Sequence, residues 1–314
     1  MASVLLLLSL LSAALLAGCL DAAQTVGSVE ASAGAAPDGA AEAAPSGTSG
    51  ERDVPEATVG VASRIEGDLA GTEDASSSTR FVAGEDESGG SGFDADTVLA
   101  VRYGLQDGYG RAVIDLGTGW EPAGTVPEWT LASQEEGGLL RLTLPSASAT
   151  SVSDARFGGR LLESFHVVRA PEGGMFMDFF AREAFLYRLT ELEEPARLVV
   201  DFKPTGEDLR VPLPAEGADT VLIEPRPRVG ISDPLTISGY TRNPDAANTI
   251  TLTDPRARVL ARRTVSSNDQ GHTWGYFEAT LDLPSFSGRG TLKVGTEDAS
   301  DGSFEGVEIP VRAR

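Results

Sequence analysis

The folded part of this chain is expected to be all-β, as two β-sandwiches in series behind a disordered linker, and three observations carry that expectation. β-branched and aromatic residues recur in runs of four to seven, many alternating with polar ones at the two-residue period of a strand. Glycine (36) and proline (18) are plentiful and fall between those runs, where turns need them. Long stretches with apolar residues at the spacing of an amphipathic helix are scarce. With 314 residues, the chain has room for about two domains.

Residues 4–17 form an apolar run, shorter than the roughly 20 residues that cross a bilayer comfortably but suited to the core of a signal peptide. The run closes on Leu16-Ala17-Gly18-Cys19, which resembles a bacterial lipobox. That resemblance implies cleavage before Cys19 and lipidation of its sulfur, with palmitate-type acyl chains. Two chains suffice for stable anchoring. Residues 1–19 are thus expected to be a lipoprotein signal peptide that delivers the protein to the extracytoplasmic face of the cell membrane. Cys19 is the only cysteine, and no Lys or Arg precedes it. An ordinary cleaved signal or a short uncleaved anchor is the alternative.

Residues 20–93 hold 14 acidic and 3 basic residues and are dominated by Ala, Gly, Ser, Glu and Asp. Such a segment cannot bury enough apolar surface to offset the entropy of ordering it. It is expected to be a disordered, self-repelling linker. Its root-mean-square reach would be roughly 50 Å, and its full extension about 250 Å.

From residue 94 the pattern changes. Strands are expected at 98–103, 112–116, 139–144, 164–168, 175–180, 185–189 and 197–202. Asp107-Gly108, Gly158-Gly159 and Gly173-Gly174 supply turns. Residues 181–194 admit a partly helical reading, but Phe185, Tyr187 and Leu189 alternate, which favours a strand. Three stretches carry a family resemblance: Val101-Arg102-Tyr103, the run from Gln106 to Val113, and the run from Pro195 to Phe202. With them, residues 96–203 resemble the AMIN-like domain of bacterial, chiefly actinobacterial, envelope lipoproteins. That family usually has a histidine where Gln106 stands and an aspartate where Gly110 stands. The AMIN-like domain is assigned to residues 94–204 and a stiff proline-rich connector to 205–219.

Residues 220–314 are expected to form the second module, with strands at 221–223, 235–240, 248–253, 259–264, 276–283, 291–296 and 307–311. Seven short alternating strands in under a hundred residues suggest an immunoglobulin-like sandwich. The run from Pro234 to Gly239, Trp274-Gly275-Tyr276-Phe277 and the run from Ala299 to Ser303 resemble the Gmad2 domain, an immunoglobulin-like module named for bacterial spore germination. Trp274 and Phe277 are expected in its core.

Composition excludes several chemistries. One cysteine excludes a disulfide framework and a Cys-based zinc site, and two histidines, His166 and His272, exclude a three-histidine metal centre. A net charge of −22 argues against nucleic-acid binding, which needs a basic face. Neither a Gly-x-Ser-x-Gly elbow nor a phosphate-cradling Gly-x-x-x-x-Gly-Lys motif occurs. No catalytic residue, metal or other cofactor is expected. Residues 297–302 are oxygen-rich but lack EF-hand spacing, so an Asp-Gly turn is the expectation. His166 is expected to be structural or on the surface, His272 to be a solvated loop residue, and Asp201 to cap or pair with an arginine.

Tyr103, Tyr109 and Arg111, with Trp120 and Trp129 in the loop that follows, are the candidate binding residues, because aromatics beside arginine stack on sugars or grip a protein. Core packing is the alternative for each. The expected function is that of a non-enzymatic, membrane-anchored envelope lipoprotein. Its ligand would be a wall polymer, peptidoglycan by the AMIN-like resemblance, or an envelope protein. A germination or envelope-stress accessory role is the alternative, and a wall polysaccharide hydrolase the less favoured one.

Overall fold

The computed structural model describes residues 58–61, 80–134, 138–159, 161–284, 286–297 and 303–313. The signal peptide, Cys19, most of the expected linker and the 298–302 turn lie outside the described residues. Every described element is a strand or turn, so the all-β expectation holds. The first group of strands is β1 (Thr58–Val61), β2 (Glu87–Gly89), β3 (Thr97–Gln106), β4 (Tyr109–Thr118), β5 (Glu121–Pro122), β6 (Trp129–Gln134), β7 (Leu139–Leu144), β8 (Ala149–Thr150), β9 (Asp154–Arg156), β10 (Leu162–Arg169), β11 (Met175–Ala181), β12 (Glu183–Leu192) and β13 (Arg197–Asp208). The second is β14 (Ala215–Glu216), β15 (Thr220–Glu224), β16 (Gly230–Ile231), β17 (Leu235–Thr241), β18 (Ala247–Thr253), β19 (Val259–Ser266), β20 (Trp274–Leu281), β21 (Gly288–Glu297) and β22 (Phe304–Ala313).

Three sheets organise these strands. The first has the order β1-β3-β4-β13-β12, and the third the order β16-β22-β21-β18-β19. Between them a single ten-stranded sheet runs β14-β15-β17-β20-β10-β11-β7-β6-β2, with β9 pairing to β10 beside this path. Its β2-to-β10 half packs on the first sheet and its β20-to-β14 half on the third, which gives one sandwich per module. The first core holds Val98, Ile114, Leu142, Phe165, Phe179, Tyr187 and Phe202 among others. The immunoglobulin-like core holds Ile237, Ile250, Phe277, Leu292 and Ile309. Strand alternation produces both, since β20 sends Phe277, Ala279 and Leu281 to one side and exposes Glu278 and Thr280 on the other.

The chain from residue 80 to 93, expected as linker, is part of the fold. Val82 pairs with Tyr187 on the edge of β12, and β2 pairs with β6. The same strap therefore joins an edge strand of the first sheet to an edge strand of the second, and Val82 is buried in the core between them. Edge pairing satisfies backbone groups that composition alone would leave in water.

The expected connector also differs from what is found. β13 continues through Pro204 to Asp208, and β14 begins at Ala215. Pro204 is tolerated because β13 pairs with β4 only as far as Phe202, leaving one side of the strand open where a missing N–H costs little. The modules are then joined directly. β10 and β20 pair in parallel through Val168–Trp274 and Arg169–Gly275. Leu139, Val168, Phe176 and Phe180 of the first module form a joint core with Val221, Ile223, Tyr240 and Trp274 of the second. Trp274, expected inside the immunoglobulin-like sandwich, belongs to this joint.

The ten-stranded sheet bends sharply at that joint. β17 and β11 stand three strand spacings apart, about 14 Å along a flat sheet. Yet the Tyr240 hydroxyl donates to the Asp178 carboxylate. Arg141, the cross-strand neighbour of Asp178, donates to both its oxygens at 2.7 and 2.8 Å and to the Tyr240 oxygen at 3.0 Å. The Asp178 side chain is fully buried. Breaking such a pair leaves the half-buried Arg141 guanidinium without its acid and weakens the hydrogen bonds at the buried position. Asp178→Asn should therefore lower the unfolding free energy by about 1.5–3 kcal/mol, and Tyr240→Phe by about 1 kcal/mol, both measured by urea denaturation of the full-length chain. A loss for Asp178→Asn no larger than that for Tyr240→Phe would contradict this assignment.

Candidate functional site

The five candidate residues do not form one site. Tyr103 is buried on the core side of β3, its ring centroid 4.6 Å from that of Phe157. Burial pushes its phenol up to about 12. Trp129 is not in a loop: it sits on β6, is 5% exposed, and donates through Nε1 to Glu191 Oε1 at 2.7 Å. Both are packing residues. Trp120 is 47% exposed on the turn after β4, at the opposite end of that ten-residue strand from Tyr109. At about 3.3 Å per residue the two are separated by roughly 30 Å.

Tyr109 and Arg111 are brought together, with partners that the sequence did not indicate. Odd-numbered residues of β4 and β13 and even-numbered residues of β12 face away from the first core. The register aligns Arg111 with Asp201 and Asp201 with Arg188 in one row across three strands. Arg111 donates to both oxygens of Asp201 at 2.6 and 2.9 Å, and Arg188 donates to the same carboxylate at 3.1 Å. Asp201 thus pairs with arginine, as expected. Its side chain is 1% exposed, and a buried carboxylate with two guanidiniums holds both in place.

Aromatic rings flank this row. The Arg111 guanidinium lies 5.4 Å from the Tyr109 ring centroid, and Arg188 lies 5.9 Å from the same ring. Phe81, from the strap, sits 4.6 Å from the Arg188 guanidinium, 5.6 Å from Lys203 Nζ and 6.0 Å from the Tyr109 ring. Such spacings suit cation–π attraction. The result is a cationic, aromatic face on an acidic protein. Arg102 and Arg197 lie on the same face, Arg102 held by Asp115.

Gly110 sits where the first core is tight. A Cβ there would stand 2.4 Å from the Tyr103 hydroxyl, so this core has no room for an aspartate at that position. The residues missed by sequence reasoning are Phe81, Arg188 and Lys203. A lone aromatic in an acidic tract was the available signal for Phe81. The other two follow only once the order β4-β13-β12 is known.

A second polar cluster sits at the joint. A cleft of about 500 Å³ is lined by Asp154, Arg156 and His166 of the first module and Glu216, Arg242 and Trp274 of the second. Its charges are engaged with one another. Asp154 accepts from Arg242 and from the Trp274 indole, each at 3.0 Å, and Glu216 accepts from Ser164 at 2.8 Å. Burial raises the Glu216 carboxyl above the ordinary range. The cluster therefore acts as a polar staple across the joint.

His166 is buried beside Trp274, Phe180 and Tyr240, while His272 is exposed in its loop. Burial pushes the His166 imidazole down to about 4. It folds neutral, whereas the unfolded chain protonates it below about pH 6.5. Folding stability should thus be complete above that pH and be lost as pH falls from 6.5 towards 4, by up to roughly 3 kcal/mol. The check is the difference in urea stability between wild type and His166→Gln across that window. A flat difference would refute the assignment.

With the geometry in place, the comparison with known families is specific for the second module. Residues 221–303 match the family described as the immunoglobulin-like domain of bacterial spore germination, Gmad2. The chain therefore ends in an immunoglobulin-like domain, and that domain matches Gmad2. No curated protein matches the chain, and no solved structure does.

Proposed function

We propose that this chain is a non-enzymatic lipoprotein of the bacterial envelope, anchored through Cys19, whose first module is an AMIN-like domain that binds peptidoglycan. The observation that carries the reading is the open face bearing Phe81, Tyr109, Arg188 and Lys203. Two rings can lie against sugars, while the cations meet the carboxylates of peptide stems. The resemblance to AMIN-like domains supplies the polymer. Its three residue stretches fall on the adjacent strands β3, β4 and β13, and two of their members, Arg111 and Asp201, are ion-paired across them. The acidic segment ahead of the strap would give the anchored head its reach. Asp201 is committed to two arginines, which suits a scaffold better than an acid or base.

The Gmad2 match favours a second reading, an accessory protein of sporulation or germination. It calls for expression tied to sporulation.

The full-length chain should co-sediment saturably with purified insoluble peptidoglycan, and binding should weaken but persist at high salt. Replacing Lys203 with Glu and Tyr109 with Ala together should reduce the bound fraction several-fold without unfolding the protein. Absence of binding by the wild type would remove the wall polymer as ligand and point to an envelope protein partner.

A further inference from the structure

The exposed face of the third sheet carries a like-charge pair where its neighbours carry opposite charges. Lys293 stands opposite Glu308 in the β21–β22 ladder and is ion-paired to it. Arg262 on β19 pairs with Glu297 at 2.6 Å. Four residues along from Lys293, however, Arg289 stands directly opposite Arg312. Like charges facing each other across a ladder are destabilising.

A third arginine joins them. Arg228 has a left-handed backbone, with φ of 66°, and its N–H donates to the Pro310 carbonyl at 3.0 Å, which holds it against β22. The three arginines line one pocket of about 360 Å³ with Pro255, Pro310 and Val311. Among the described residues, none of the three has an acidic partner or a side-chain hydrogen bond. The carboxylates next to the lining in sequence are already engaged: Asp254 with Arg258 and the backbone of Arg256, and Glu308 with Lys293. In a chain of net charge −22, these three exposed arginines gather around one concavity with no described carboxylate beside them.

We infer that this pocket of the immunoglobulin-like module binds a phosphate group carried on a compact organic moiety. The phosphoryl oxygens would lie among the Arg228, Arg289 and Arg312 guanidiniums, with the carbon portion on Pro255 and Pro310. Phosphate fits better than carboxylate, because a tetrahedral phosphoryl group accepts from donor forks arriving from several directions, whereas a carboxylate accepts within one plane. The volume falls in the ordinary range for small-ligand sites. The site is separate from the wall-binding face and does not depend on that reading.

The test is calorimetric titration of the full-length chain with glycerol 3-phosphate, with its diester glycerophosphoglycerol, and with acetate. One phosphate compound should bind saturably at a single site, and acetate at least tenfold more weakly. Preference for the monoester assigns a soluble ligand, and preference for the diester a polymer or lipid headgroup. Arg289→Gln with Arg312→Gln should cut that affinity at least tenfold. Because the variant removes a repulsion, its ligand-free melting temperature should be equal to or above that of the wild type. Failure of both phosphate compounds to bind saturably, acetate binding as tightly, or binding untouched in the double variant would overturn the assignment.

Discussion

The buried charge of Asp178 is the constraint on which the rest of this structure depends. An ionised carboxylate in the interior is costly unless its oxygens are fully met. Here Arg141 meets both and the Tyr240 hydroxyl completes the set. Two of these groups belong to the first module and one to the second, so the carboxylate's set of partners is complete only in the docked arrangement. The apolar surroundings enforce the same geometry. Phe176 lies edge-on to Tyr240 at 5.6 Å and under the Arg141 guanidinium at 4.0 Å, while His166 packs edge-on to Trp274 at 5.0 Å. Burial and the Asp178 charge raise the Tyr240 phenol well above its ordinary value, which keeps it a donor.

A head built this way presents its surfaces in fixed relation. The cation–aromatic face lies on the first sheet and the arginine pocket on the third, and these two sheets pack on the two halves of a continuous ten-stranded sheet. Neither surface resembles the rest of an acidic chain. Each gathers basic residues where a net charge of −22 would otherwise repel anionic ligands. They differ in kind. Arg111 and Arg188 are pinned by a buried carboxylate and offer a shaped, partly neutralised surface, whereas Arg228, Arg289 and Arg312 have no described acid beside them. In the proposed reading the first arrangement would meet a polymer with sugars and scattered carboxylates, and the second a phosphate group.

Much of the fold was legible in the sequence. Each expected strand is found, because alternation such as Ile250/Leu252 or Phe185/Tyr187/Leu189 has no other stable outcome in a sandwich. The joint was written there too, in a form that alternation does not capture. Met175–Ala181 is apolar apart from Asp178, and all seven residues are buried. A strand without alternation is covered on both faces, and the second cover is the other module. Composition misjudged the strap, since Phe81 and Val82 are the only large apolar pair near its start and everything else there reads as linker. The candidate site was half legible: Tyr109 and Arg111 lie close in sequence, but Arg188 and Lys203 reach them only through strand order. Trp129 was misplaced because Pro127 beside it reads as a loop, whereas its indole has a carboxylate partner 62 residues away.

Native-state hydrogen exchange of the full-length chain, under increasing denaturant, tests the central claim that the two modules form one cooperative body. The buried amides of β11 in the first module and of β17 and β20 in the second should converge on one opening free energy, equal to that of global unfolding. Opening of β17–β22 at a clearly lower free energy, with β11 still protected, would mean that the modules stand independently and would contradict the account.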